Sequence, residues 1–241
     1  MSPAAGCSMP DDADHDLYDL RAALAGSCRE ALKVLPLPGV VVLPGTPTPF
    51  HIFEPRYRAL VADALSGDRM IAVATLASEE GASQDRAPIH PIAGAGFIEA
   101  EEQLPDGRYH IVVRGLERVR LTEELDNGKP YREFRGEVLE DVYPPAGPAA
   151  LIRQRQALEA CVLRLAEVLP PESGAPQLAE LAARTESPSQ LADLVAAAVV
   201  SEPGPRIAVI EELDLAKRLD LVTGEVASVI LMLSRGRTPS A

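Results

Sequence analysis

The chain has no tryptophan in its 241 residues, and aromatic side chains make up only 4%. Its core must therefore be assembled mainly from Leu, Val, Ile and Ala. Cysteine is almost as scarce. The three present, Cys7, Cys28 and Cys161, are far apart, odd in number and without CxxC spacing. That excludes a disulfide framework and a zinc ribbon and suits a reducing cytoplasm, the expected location. Long apolar runs are missing too: the longest, residues 194–200, falls far short of the ~20 residues a membrane-spanning helix needs. The N-terminus leads into Asp11, Asp12, Asp14 and Asp16, without the basic start and apolar stretch of a secretory signal. Positive charge is also in deficit, with 23 Lys and Arg against 36 Asp and Glu, a net charge of −13. Phosphate backbones and anionic lipid would repel such a chain, so neither nucleic acid nor a membrane surface is expected as a partner.

Reactive constellations are equally sparse. The histidines are His15, His51, His90 and His110, with no HxH or HExxH pattern. No G-x-x-x-x-G-K-[ST] phosphate loop occurs. Gly94-Ala95-Gly96 lacks the lysine and reads as close strand packing. No catalytic set, metal site or cofactor is expected. His51 beside Glu54 and Arg56 is the one suggestive cluster, and its commoner role is to fix the entry to a helix beginning there. Cys161 lies on an apolar stripe and reads as core. Glu99, Glu101 and Glu102 read as a solvated strand end.

Hydrophobic patterning divides what is present into three stretches. Residues 1–33 form an acidic leader with one short amphipathic helix around Asp16, Leu17, Leu20, Ala23 and Leu24. Residues 34–143 read as mostly β. Apolar runs at 40–43 and 70–76 predict buried strands, and Gly94 and Gly96 predict a bulged one. Turns at Pro105-Asp106-Gly107 and Asp126-Asn127-Gly128 predict hairpins, with Phe134, Val138 and Val142 on one face of a long strand. One helix starts at Glu54-Pro55 and buries Tyr57, Leu60, Val61 and Leu65. Residues 148–235 read as helical. Leu158, Cys161, Val162, Leu165, Val168 and Leu169 form one stripe. Ser187 caps a second helix, Pro203-Gly204-Pro205 breaks the chain, and Leu215, Leu219, Val222, Val226, Val229 and Leu233 line the last helix. Residues 144–148 are the expected hinge. The fold class is α+β.

Specific blocks add to this reading. Leu35-Pro36-Leu37-Pro38, Val42-Leu43-Pro44-Gly45 and Pro49-Phe50-His51-Ile52-Phe53-Glu54-Pro55-Arg56-Tyr57-Arg58 resemble the opening of the Lon protease N-terminal, substrate-binding domain. The block from His51 to Arg58 is especially typical of short bacterial members consisting of that domain alone. Gly96, Asp106-Gly107-Arg108, Val113-Arg114-Gly115 and Arg118 are similar to the family's strand pattern. Ala192-Asp193, Leu213-Asp214 and Arg218-Leu219 are similar to its helical bundle.

The resemblance implies a twisted, mostly antiparallel pseudo-barrel with one helix, followed by a small C-terminal helix bundle. It also implies a non-catalytic module that binds unfolded or tagged polypeptides, in quality control or regulated proteolysis, with a protease or ATPase as partner. The family's Ser–Lys dyad has no counterpart: Lys33, Lys129 and Lys217 are the only lysines. Neither ATP hydrolysis nor peptide cleavage is therefore expected. The expected peptide contacts are Pro49, Phe50, His51, Ile52, Phe53, Arg56 and Tyr57, where large apolar side chains flank a loop rich in proline (Pro44, Pro47, Pro49). Two other functions stay open: an assembly or regulatory subunit docking through its helical face, and a hydrolase using His51 or a carboxylate.

Overall fold

The computed structural model describes residues 10–78 and 86–236, with the side chains of 10–17 and 235–236 set aside. Cys7 lies outside the described residues, as does the His15 side chain. The elements are α1 (Pro10–Glu30), β1 (Leu32–Leu37), β2 (Pro47–Ile52), α2 (Pro55–Leu65), β3 (Met70–Thr75), β4 (Ile92–Gln103), β5 (Tyr109–Leu125) and β6 (Arg132–Leu139). Then follow α3 (Ile152–Val168), α4 (Ala175–Arg184), α5 (Pro188–Val199), α6 (Pro203–Glu211) and α7 (Leu215–Gly236).

The strands join in the order β2-β5-β4-β3-β1-β6, and a further β5–β6 pairing closes five of them into a ring. The closure follows from the length of β5. Its 17 residues give their first half to β2 and their second half to β6 on one side, while β4 runs along the other. Both expected hairpins are present, with Gly107 and Gly128 at positive φ. Among the described strands, β1 and β3 are the one pair that runs in parallel.

Several expectations are corrected. Residues 41–43 are buried as expected and Val40 is half-buried, yet they form no strand. They cross over the sheet at two glycines: a Cβ on Gly94 would lie 1.8 Å from the Val42 carbonyl oxygen, and one on Gly115 2.3 Å from that of Leu43. The buried strand is instead Leu32–Leu37, which starts inside the stretch read as leader. Pro36 disguised it. Its missing N–H is tolerated because β6 pairs only with Leu32 to Val34, short of Pro36. The proline-rich loop is also a strand, β2, at the sheet edge. Pro203-Gly204-Pro205 does not break the chain but opens α6, where proline lacks only a donor that the first turn leaves unused. Helix α4 had no counterpart in the periodicity. Finally, β6 ends at Leu139, and Val142 is exposed and outside it. The Val142 backbone instead pairs with Leu213 and Leu215 at the start of α7.

Helix α1 is longer than the short helix expected, and it buries Leu24 and Cys28 against Leu32, Val34, Met70 and Phe134. Burial, slightly opposed by Arg29, pushes the Cys28 thiol up to about 11. Little thiolate forms near neutral pH, and this cysteine serves as packing. A second cluster fills the other side of the sheet, from Leu35, Ile71 and Ile111 to Tyr57, Leu60 and Val61 of α2. The helical cluster is built from the expected stripes of α3, α5 and α7 and takes in Val41 and Leu43 from the crossing segment. Ser187 caps α5 as expected, accepting from the Gln190 N–H.

Candidate functional site

The block from Pro49 to Tyr57 spans the end of β2 and the start of α2. The ladder pairs Pro49 with Val112, Phe50 with Ile111, His51 with His110 and Ile52 with Tyr109. On its far side β5 pairs Val112 with Ala100 and His110 with Glu102. Side chains alternate between the two faces of a sheet. One face therefore carries two neighbouring rows, Pro49–Val112–Ala100 and His51–His110–Glu102. Ile52, Tyr109 and Ile111 point the other way into the core. A bulge at Glu99, between Ile98 and Ala100, sets the register that brings Ala100 to the outward face.

Ala100 is small and Val112 only half-buried, so the first row leaves a shallow, mainly apolar hollow of about 320 Å³ beside Pro49, with His110 and Glu102 at its rim. A ring cluster adjoins it. The His51 ring meets His110 edge-on at 4.9 Å and Phe53 at 6.0 Å. Arg108 Nη1 lies 3.4 Å from His51 Nε2, and Phe53 is 62% exposed. The edge of β2 is blunted. Proline has no N–H to donate, so the alternation of the ladder turns Pro47 and Pro49 outward, where a docking strand would find the His51 N–H but none from either proline.

Strand pairing overturns the expected role of His51. Its ring faces β5 neighbours, and Glu54, with no side-chain cap bond, occupies the cap of α2. The three glutamates are not simply solvated either. Glu99 accepts from Arg114 at 2.7 and 2.9 Å, Glu101 pairs with Arg69, and Glu102 lies 3.5 Å from His110.

The seven residues expected to contact peptide do not form one surface. Pro49, His51 and Phe53 are exposed, Phe50 is half-buried against the core, and Ile52 and Tyr57 are buried. The Tyr57 hydroxyl donates to the Pro36 carbonyl at 3.2 Å. Arg56 lies over the Tyr57 ring and bonds Glu54. Both residues line a second, polar cleft of about 270 Å³ beside the β5–β6 turn. Nearby, hydrogen bonds from Lys129 and Tyr131 hold the Asp63 carboxyl below the usual carboxylate range. Ala100, Glu102, Arg108, His110 and Val112 complete the outward surface. They were missed because they come from β4 and β5, far along the chain. One signal was available: Val112 is an apolar residue between His110 and Arg114 on an otherwise polar strand face.

Among the described residues, no three His, Cys, Asp or Glu side chains are grouped to hold a metal ion, and no helix is long and apolar enough to cross a membrane. In α7, Leu215, Leu219, Val222 and Val226 are buried, while Leu231 and Met232 near its end are exposed.

Residues 31–228 match the model of the ATP-dependent protease La (LON) substrate-binding domain. The Lon protease of Desulfosudis oleivorans is 26% identical over 210 residues, covering 86% of this chain and 25% of that protein. Lon protease 2 of Thermus thermophilus is 30% identical over 196 residues, covering 80% and 23%. The chain thus spans about a quarter of the length of these relatives. Among solved structures, the N-terminal domain of the Mycobacterium avium complex Lon protease superimposes with a TM-score of 0.64 at 18% identity, covering 82% of this chain and 98% of that one. The Lon N-terminal domain protein from Xanthomonas campestris gives 0.54 at 18% identity, covering 80% and 97%. At that identity the superpositions establish the shared fold, mixed α and β with a mostly antiparallel sheet.

Proposed function

The chain belongs to the LON substrate-binding domain family, and from that premise we propose that it binds unfolded or tagged polypeptide segments without cleaving them. The binding surface in this reading is the outward face of β2, β5 and β4. The single observation that carries it is the apolar hollow at Pro49, Ala100 and Val112 next to the exposed Phe53 and the His51–His110 pair. Such a hollow supplies affinity through apolar contact without demanding one sequence, as a binder of many clients requires. The role belongs to proteolysis, in the cytoplasm, with a Lon-type protease or ATPase receiving the client.

Replacing Val112 with glutamate places a charge in the hollow. Because Val112 is on the solvent side of β5, the fold should survive. The expected result is at least a tenfold loss of affinity for a labelled, permanently unfolded protein in fluorescence anisotropy, with the melting temperature kept within about 3 °C; a surface substitution away from packed features usually costs no more than ~0.5 kcal/mol. Unchanged binding would remove this face from consideration. A second reading, a docking subunit, is favoured by Leu231 and Met232 at the exposed end of α7. Loss of association with a Lon-type protease in a Met232→Glu variant, with Val112→Glu inert, would select it.

A further inference from the structure

The same face carries a charge pattern that says which clients it prefers. Two of its rim cations already have carboxylate partners: Arg114 with Glu99 and Arg108 with Asp106. Glu102 differs. It is 71% exposed, and its neighbour is a histidine ring at 3.5 Å and not a lysine or arginine. It sits one row beyond Ala100 in the same strand, on the same face as the hollow. Rows two residues apart in a strand are separated by roughly 7 Å, which is also the distance between alternate side chains of an extended client lying along the strands.

Resting on the binding reading above, we propose that the preferred client segment is extended, with a large apolar residue in the Pro49–Ala100–Val112 hollow and a lysine or arginine two positions away, against Glu102. The net charge of −13 works in the same direction: it favours approach of basic segments and disfavours acidic ones at low ionic strength. Edge pairing is disfavoured, because Pro47 and Pro49 remove two of the donors that an added strand would use. Recognition then falls to side chains on the sheet face.

Labelled host peptides of Ser, Gly and Ala test this, each with one leucine and, two positions on, lysine, alanine or glutamate. Anisotropy titrations should rank lysine above alanine above glutamate, with the lysine peptide on the order of threefold tighter than the alanine peptide, as fits one exposed ion pair. In a Glu102→Gln variant the lysine and alanine peptides should differ by less than about 1.5-fold, and 0.5 M salt should have the same effect. Moving the lysine next to the leucine should lose the preference, because adjacent side chains of an extended chain face opposite ways. Lysine and glutamate peptides that bind equally, and both lose binding in Val112→Glu, would overturn the charge preference and leave the binding face intact. Binding of no peptide, or binding that Val112→Glu does not touch, would overturn the face itself and this preference with it. Self-association through the face, seen by sedimentation and abolished by Val112→Glu, would also overturn the proposal.

Discussion

Asp193→Ala is expected to lower the melting temperature by on the order of 10 °C. Asp193, on α5, is 1% exposed and accepts two hydrogen bonds from Arg118 of β5, at 2.5 and 2.9 Å. Arg218 of α7, fully buried, lies 3.6 Å from Asp193 and also bonds Asp141, in the connection after β6. Arg118 further donates to the Ile210 carbonyl of α6, and Arg218 to that of Glu212. Two cations thus meet two carboxylates where the strands join the helices; Arg118, Arg218 and Asp193 are nearly out of water, and Asp141 is half-buried. Removing one partner leaves a buried charge uncompensated, which costs ~3–5 kcal/mol. For a chain of this size each kcal/mol shifts the midpoint by ~2–4 °C. The double variant Asp193→Leu, Arg118→Met should recover much of the loss, because an apolar pair of similar volume needs no compensation.

We propose that residues 34–143 and 148–235 unfold as one unit, so calorimetry should give a single transition at the lower temperature. Two separated transitions in Asp193→Ala, or a shift below 3 °C, would show that the network does not join them. The network also carries an acid signature. Burial alone would raise the Asp141 carboxyl, but hydrogen bonds from Ser189 and Arg218 outweigh it and hold it below the ordinary value. Its contribution to stability is therefore complete above the unfolded-state value, about 4, and is lost as pH falls below that toward the folded value. Asp141→Asn should flatten this acid limb of the stability curve.

Gly94→Ala is expected to be the most damaging small substitution in the protein, with a loss of at least ~4 kcal/mol. The added methyl would sit 1.8 Å from the Val42 carbonyl oxygen and 2.8 Å from its carbon. Both are backbone atoms, so no rotamer change relieves the overlap. The crossing segment would have to lift, and it carries Val41 and Leu43 into the helical core and Val42 into the core beneath the sheet. One methyl thus disturbs two cores. Gly26→Ala in α1 is the control. Its Cβ would meet nothing within 4 Å, and alanine favours the helix, so this variant should match the parent or gain up to ~1 kcal/mol. Thermal melts followed by circular dichroism compare the two. A Gly94→Ala protein melting within 3 °C of the parent would refute the crossing geometry.

These effects separate what was written locally from what was not. Periodicities of two and of three to four placed β5, α2, α3, α5 and α7, because each buries one face and repeats it in its own residues; a continuous apolar run placed β3, which is buried on both faces. Turn chemistry at Asp106-Gly107 and Asn127-Gly128, and the Ser187 cap, were legible for the same reason: each satisfies its backbone within a few positions. The blocks around His51 to Arg58 carried the family. The sequence alone did not say that residues 40–43 cross the sheet without joining it. Their burial depends on the absence of side chains at Gly94 and Gly115, more than 50 positions away. Nor did it divide the block from Pro49 to Tyr57 into exposed and buried members, since that depends on which strand pairs with β2 and in what register. The hollow itself is a product of that register. Val112, Ala100 and Pro49 come from three strands and meet only because the ladders hold them in one row, so long-range hydrogen bonding, and not local preference, decides which side chains share this outward face.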